Sequence, residues 1–533
     1  MCAGVDMLLQ GRRPIFTDVV EVNSENVIQI LRDAEPTFTA NSNDCARLLD
    51  IEKGNLPLKR VKQTRTDIDV QTNDSIAHEI TAFKEGYHWS NIINLVQRGN
   101  VDSGKPNESE AITLLNECYS AEGIGEKQNE LGHYVEICGV GYTLVDIKTD
   151  WEEGDSYFSL ITLDPRNAFV VRSSYYADHR IMVAGTWRTD SMGIRYYTVF
   201  SKDRRYEISQ GKVTNGKLIK DVWQFGIRSG ELNPIPYPIT EYRRSVDMMG
   251  VFEREIPEME RLNLIISDIG NDIDQETQMI WWTNDVEFPE VIREDGTTEI
   301  KKPVSNEWVQ TYTSQDGKNP NIKPLVAGYD YAGLLANYKA ARTLILQRTY
   351  TPQRNDDSGG STGVAMSDAT GWSAAEQVAA SQQLLTEAAK MCEVKAVLQA
   401  IKKNPHIEPD NPMLDLKYMD VKPNIMRQKT YEMTVKTTAL ANLLSHGIYG
   451  LHALKSINYF DDVAQVWEDS KDLIEEYQKT TFGEKEENDI QMSSDLPEYQ
   501  IGNSPLIDGM SVQQEDKEAE NVSKDNNYGG NED

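Results

Sequence analysis

Cysteine is scarce in this chain of 533 residues, and what there is does not pair by spacing. Cys2, Cys45, Cys118, Cys138 and Cys392 are odd in number, scattered, and never arranged as C-x-x-C. That excludes a structural zinc site of the usual spacing and points to a reducing compartment. Long apolar runs are also missing. No stretch approaches the roughly 18 residues needed to cross a bilayer. The N-terminal MCAGVDMLLQGRRP lacks the charged, apolar and small-residue regions of a signal peptide. No membrane partner is expected. Positive charge is in deficit: 54 Lys and Arg stand against 85 Asp and Glu, a net charge of −31. Nucleic-acid affinity comes largely from Lys and Arg neutralising phosphates, so a tight phosphate grip is not expected.

Catalytic constellations are lacking as well. In GNVDSGKP, Gly99, Gly104 and Lys105 match a G-x-x-x-x-G-K phosphate loop, the pattern of a P-loop NTPase. Position 106 is proline, so the hydroxyl that should hold Mg²⁺ is absent, and proline disfavours a helical Lys105. No apolar strand precedes Gly99. His78-Glu79 has no second histidine four residues on, which excludes a zinc-protease helix. His88, His133, His179, His406, His446 and His452 show no ligand spacing. The serine in SGGST has no His/Asp partners that can be nominated. Neither catalysis nor a cofactor nor a metal is expected.

What is present reads as a multi-domain α+β chain. The length suits several domains, and 39% hydrophobic with 26% charged residues is ordinary for a folded protein. Residues 1–40 read as an arm with one short helix, Ser24–Asp33. Asn41–Asn100 is mixed and helical, best at Ile76–Phe83 and Ser90–Gln97. Residues 108–119 and 125–138 read as amphipathic helices. GYTLVDIK, YFSLITL, NAFVVRS, RIMVAGTWR, YYTVFS and RYEISQ are dense in β-branched and aromatic residues and predict strands. Asn215-Gly216 is a two-residue hairpin signal, and the prolines of IPYPITEYRRS mark a junction near residue 250.

The chain is organised around Val251–Lys403. A helix is predicted from Ile256 to Thr283. At about 100° per residue, Met259, Leu262, Ile266, Ile269, Ile273 and Ile280 fall in one arc. Glu258, Glu260, Asp268, Asp272, Asp274 and Glu276 spread opposite. That acidic face reads either as a solvated face or as the lining of a channel through which something negative slides. Asn284–Ala327 holds short strands and turns and is too small to fold alone. Tyr331–Arg348 is a second helix, with Leu334, Leu335, Tyr338, Ala341, Ile345 and Leu346 inward and Lys339, Arg342 and Arg348 outward. Thr351–Trp372 lacks helical periodicity, and its glycines and small polar residues suit a mobile loop. Ser373 with Glu376 forms a capping pattern for a third helix. Its stripe of Ala374, Val378, Leu385, Ala389, Cys392 and Ala396 lasts until Asn404-Pro405. Asn424–Tyr477 is helical again. Residues 484–533 carry 14 acidic and 3 basic residues, a net of −11, which predicts a disordered tail.

This arrangement resembles the portal (head-to-tail connector) proteins of tailed double-stranded DNA bacteriophages, in particular the siphovirus type. Phe83-Lys84-Glu85-Gly86-Tyr87 through Gly104-Lys105-Pro106 resembles the family's "G-Y…G-K-P" segment. Tyr134–Ile147 and Leu163–Val171 are similar to two of its strand segments. Arg261–Thr277, RLNLIISDIGNDIDQET, resembles the stem-helix pattern "y-N-x-l-i-S-D-x-x-N-D-i-e". Ser361–Met366 resembles "S-S-G-V-A-l" at the tunnel loop. The chain departs from the family in inserting SDATGW after Met366, and in a long helix rich in Ala and Gln where the family often has Lys and Arg.

The resemblance implies a ring, typically of twelve subunits, at one capsid vertex, with DNA moving inward during packaging and outward at ejection. Residues 41–250 with 373–403 would form a wing that is helical, then β-rich. Residues 251–283 and 328–350 would be stem helices, 284–327 a clip and 351–372 the tunnel loop. Residues 404–480 would be a helical crown and 481–533 an acidic tail. Partners would be further copies of the chain, DNA, the terminase motor, major capsid and scaffold proteins, and neck or head-completion proteins. The setting would be the virion, preceded by the host cytoplasm during assembly. Tunnel-loop candidates are Gln353, Arg354, Asn355, Asp356, Asp357, Ser358, Gly359, Gly360, Ser361, Thr362 and Gly363. Channel-facing stem candidates are Glu260, Asp268, Asp272 and Asp274. Arg354 either touches phosphate weakly or pairs with Asp356 or Asp357. An adaptor or minor head protein is the alternative within the virion, and a P-loop NTPase the alternative outside it.

Overall fold

The computed structural model describes residues 11–58, 60, 66–98, 110–175, 180–214, 217–277, parts of 280–325, 330–353, 371–425, 427, 433–457 and 463–482. One compact unit extends through Ile474. A second begins at Glu475, and its described part is the end of the last helix.

The first unit opens on β1 (Ile15–Thr17) and α1 (Val27–Glu52). The short helix expected at Ser24–Asp33 is thus the front of a 26-residue one, and the arm boundary at residue 40 falls inside it. Pro36 removes one helical hydrogen bond at a cost of about 3 kcal/mol. Phe38, Cys45, Leu48 and Leu49 beyond it are buried, and burial at about 1.5–3 kcal/mol per large side chain outweighs the break.

Next come α2 (Ile76–His88), β2 (Asn94–Gln97), α3 (Glu110–Ala121) and α4 (Ile124–Cys138). Ser90–Gln97, expected helical, is not. A block of strands follows: β3 (Val140–Ile147), β4 (Phe158–Leu163), β5 (Ala168–Ser173), β6 (Ile181–Thr189), β7 (Arg195–Phe200), β8 (Arg204–Thr214), β9 (Lys217–Phe225), β10 (Glu231–Leu232) and β11 (Ile239–Arg243). The Pro-rich junction therefore contains a strand of its own, β11.

β1, β5, β6, β7, β8 and β10 form one sheet in that order, with β9 also on β8. The register Thr214↔Lys217 fits the hairpin signal, whose Asn215-Gly216 lies outside the described residues. β11, β3 and β4 form a second sheet. β5 shows why its residues make a doubly covered strand. Phe169 and Val171 pack with Ile30, Leu31 and Phe38 of α1, while Ala168 and Val170 pack with Val140, Tyr142 and Ile239 of the second sheet. Side chains alternate across a strand, so four apolar residues in a row serve two cores.

α5 (Ile256–Thr277) ends six residues before the expected Thr283. Ile280–Asn284 is strand β12, as its two tryptophans and threonine favour. The strands beyond are nested: β13 (Val286–Glu287), β14 (Glu290–Ile292), β15 (Thr298–Ile300), β16 (Tyr312–Thr313) and β17 (Asn321–Leu325). β12 pairs with β17, β13 with β16 and β14 with β15, all antiparallel. α6 (Tyr331–Arg348) returns beside α5. Leu262 and Ile265 of α5 share a cluster with Tyr338, Ala341 and Ile345 of α6 and with Leu48 and Ile80 of α1 and α2.

α7 (Trp372–Lys403) buries Ala375, Ala379, Gln382, Thr386, Ala389, Lys390 and Glu393, a face rotated from the expected apolar stripe, and Cys392 is exposed. Residues 404–424 do not open a helical crown. They turn back as short 3-10 turns and β18 (Val421–Asn424), which pairs with β2, so that Met413, Leu416 and Val421 pack on Val397 and Ile401. α8 (Met433–Ser445), α9 (Gly450–Ile457) and α10 (Val463–Phe482) complete the described chain.

Candidate functional site

The acidic helix α5 buries a polar face beside its apolar one. Asn263, Ser267 and Asn271 recur every four residues and are all buried. Each reaches one rung of the extended segment 70–74. Asn271 Oδ1 accepts from the Val70 amide at 2.8 Å, Ser267 Oγ from the Thr72 amide at 3.0 Å, and Asn263 Oδ1 from the Asp74 amide at 2.9 Å. The spacings match: four helical residues rise about 6 Å, and two extended residues about 6.6 Å. Gly270 allows the approach, since a Cβ there would stand 2.9 Å from Val70 Cγ1. Three backbone amides of this stretch are thus satisfied by helix side chains instead of by a neighbouring strand.

Asp74 carries the segment on to α6. Its carboxylate accepts from Tyr338 Oη at 2.6 Å and from Arg342 at 2.7 Å, and Arg342 also pairs with Glu79. Arg342, expected outward, is a cross-link. Of the four acidic candidates on α5, Asp268 is ion-paired with Arg60. Glu260 borders an open cavity of about 420 Å³ with Asn43, Arg47 and Asp50. Asp272 is half-buried and Asp274 exposed. At about 100° per residue, Asp268 and Asp272 stand together beside the Asn/Ser ladder, while Asp274 continues its line. The expected apolar arc divides similarly: Met259 and Leu262 are buried, Ile273 is exposed, and Ile280 belongs to β12.

The loop candidates Arg354, Asn355, Asp356, Asp357, Ser358, Gly359, Gly360, Ser361, Thr362 and Gly363 lie outside the described residues. Gln353 is described, its side-chain amide donating to the Thr343 carbonyl at 3.4 Å. Both ends of the segment are well defined. At the first, the Thr351 amide donates to the Leu346 carbonyl at 2.9 Å and the Tyr350 amide to the Gln347 carbonyl at 3.1 Å. This is the Schellman pattern that ends helices, normally with glycine in the left-handed position. Here Tyr350 holds it, at φ +53°, where a side chain costs about 1–2 kcal/mol. The Tyr350 carbonyl accepts from Lys84 Nζ at 3.0 Å. Lys84 is fully buried. Burial pushes its ammonium down to about 8, Glu136 acting against that and Arg244 with it.

At the second end, α7 starts from Gly371 at φ +87° with no side-chain cap. Ser373 lies within the helix, and Glu376 does not reach back to it. Glu376 takes Arg427 at 2.6 Å and the Tyr87 hydroxyl. Trp372 meets Phe83 and Tyr87 edge-on, at 5.5 and 5.7 Å between ring centres.

Behind these ends lie two buried carboxylates. Burial alone raises Glu136, but His88, Arg244 and Gln382 outweigh it and hold the carboxyl well below its ordinary range. Glu393, raised by burial, is lowered on balance by Lys390, Tyr242 and Thr143. These hubs tie α7 to α2, α4 and β3. Sequence reading missed them and the Asn/Ser ladder, although the i, i+4, i+8 spacing of Asn263, Ser267 and Asn271 was a usable signal. His78 and His133 likewise face glutamates, Glu52 and Glu85. Among the described residues no group of three His, Cys, Asp or Glu could hold a metal ion. The Gly99–Lys105 match lies outside the described residues.

A family model described as phage portal protein, SPP1 Gp6-like, matches residues 62–480. No curated protein matches the chain. Among solved structures, a chain from the neck of an empty GTA particle computed with C6 symmetry is 11% identical, at a TM-score of 0.39, covering 71% of this chain and 88% of that one. A chain from the virion of a native gene transfer agent particle is also 11% identical at 0.39, covering 76% and 90%.

Proposed function

Because the chain belongs to the phage portal protein family, we propose that it forms the ring at one capsid vertex through which double-stranded DNA enters and leaves. The observation that carries this reading is the order along the chain. Helix α5, a nested strand segment and helix α6 run out and back, followed by residues 354–370 and the long helix α7. In this reading twelve copies assemble with α5 and α6 as the stem. The nested strands meet the terminase motor during packaging and the neck proteins afterwards, while the capsid and scaffold proteins surround the wing. The motor is a separate ATPase.

The stem carboxylates give the physical mechanism. Glu260, Asp268, Asp272 and Asp274, repeated around a ring, repel phosphates and centre the duplex, which lowers the barrier to sliding. Screening over about 8–10 Å at cellular salt keeps the repulsion short-ranged. Gln353–Gly363 touch the moving duplex weakly, with Arg354 as the one basic contact.

Negative-stain microscopy with native mass tests the assembly. A ring of many subunits with a central hole is the expected result, and a stable monomer that binds nucleotide overturns it. Substitution of Gln353–Ser361 is expected to impair packaging or DNA retention with the ring intact. Loss of the ring instead makes that segment structural.

A further inference from the structure

Lys84 is a buried cation whose single hydrogen-bond acceptor among the described residues is a backbone carbonyl, and that carbonyl belongs to a strained residue. Tyr350 occupies the left-handed position at the end of α6. Tyr350 is 47% exposed, so burial of the residue does not explain the conformation. Such strain persists where the surroundings over-determine it. The Thr349 hydroxyl ties the turn from within, to the Ile345 and Leu346 carbonyls and the Thr351 hydroxyl, and Lys84 Nζ is in place to hold it from α2. On α2, Phe83 and Tyr87 stand one turn apart with rings stacked at 5.6 Å, next to Lys84 on the same side of the helix. They hold Trp372, the first residue of α7. The Tyr87 hydroxyl adds its bond to Glu376, one turn further on.

We propose that Lys84 is a positioning residue. By holding the Tyr350 carbonyl it fixes the last turn of α6, and with Phe83 and Tyr87 on Trp372 it makes α2 the common seat for both ends of residues 354–370. α2 thereby sets where that segment leaves one helix and joins the next. The consequence for DNA handling rests on the tunnel-loop reading above, whereas the seat itself does not.

The seat accounts for a lysine where a leucine or methionine would fill the space without desolvating a charge. An apolar side chain would pack against α4 and α6 but could not donate to the carbonyl. The groups facing Lys84 are consistent with this: Glu136 from α4 favours the ammonium, and Arg244, after β11, opposes it.

Hydrogen exchange on the purified full-length assembly tests the proposal, following peptides over 345–353 and 371–380, with the melting temperature measured alongside. Lys84→Met is expected to speed exchange at 349–353 by on the order of tenfold, about what losing one charged hydrogen bond allows. The melting temperature should not fall, because the variant also removes a buried charge. A purely structural lysine would behave otherwise. Its loss would lower the melting temperature and loosen α2 and α4 throughout, and that result overturns the proposal, as does unchanged exchange at 349–353. Tyr350→Gly decides the matter even where Lys84→Met does not fold. Glycine needs no restraint in the left-handed position, so protection at 349–353 should be kept. Its loss would mean that the tyrosine ring holds the turn, and would overturn the latch. Faster exchange in Lys84→Met with wild-type DNA retention leaves the latch standing and refutes the assignment of residues 354–370 to DNA.

Discussion

Lys84 and Glu136 are both buried ions, and their neighbours send them in different directions. Glu136 accepts from His88, Trp89, Arg244 and Gln382, which outweigh the penalty of burial, while Lys84 has one carbonyl among the described residues, and burial prevails. The pH consequence follows from the sign. Lys84 is pushed down to about 8 from an ordinary 10.5, so between those values the unfolded chain holds a proton that the folded chain has lost. Stability then rises with pH across that window. Melting curves from pH 7 to 10.5 should show this rise in the wild type and a smaller one in Lys84→Met. Neither ion was legible beforehand. A lysine in FKEGY and a glutamate in YVEIC look like ordinary helix-surface charges, and only partners 47 to 266 residues away along the chain show otherwise.

Among the elements, α5 shows what periodicity can and cannot report. Its apolar arc correctly marked Met259 and Leu262 as buried. The arc could not show that the adjoining face is also buried, because polar residues count as solvent-facing in any apolar pattern. That face is closed by the backbone of residues 70–74, a partner no helix periodicity encodes. Asn263→Ala should leave the part-buried Asp74 amide without its acceptor and cost about 1–3 kcal/mol, read from the urea midpoint. Gly270→Val should cost more, since its side chain would collide with Val70. A midpoint unchanged by either variant would mean that the segment does not hold α5. The third helix was misjudged at its start for a comparable reason. Ser373 and Glu376 satisfy a local capping pattern, but left-handed Gly371 and the pull of Tyr87 and Arg427 on Glu376 override it.

For the whole molecule, charge dominates. Net charge is −31 per chain, and on the proposed ring reading the carboxylates of α5 act as many copies rather than as one. Asp268→Asn with Asp272→Asn is expected to slow DNA passage at low salt. The difference should fade toward 1 M salt, where the screening length is about 3 Å. Single-particle translocation rates across a salt series would measure it. A difference that does not depend on salt would argue against electrostatic centring. The same double variant removes the Asp268–Arg60 pair, so Arg60→Gln is the control that separates the two causes.

Local chemistry decided much of this protein in advance. Dense β-branched and aromatic runs placed strands β3–β8, and amphipathic patterns placed α3 and α4, because those preferences act within a few residues. The order of helix, strand segment, helix and Gly/Ser-rich stretch was equally plain. Tertiary structure decided the rest. It carried α1 through Pro36 by burying the residues beyond it, and turned Ile280–Asn284 into a strand by offering β17 as a partner. It also put Asn263, Ser267, Asn271, Lys84 and Glu136 inside. Polar groups are buried only where distant atoms complete their hydrogen bonds, and those distances close only when the chain has folded.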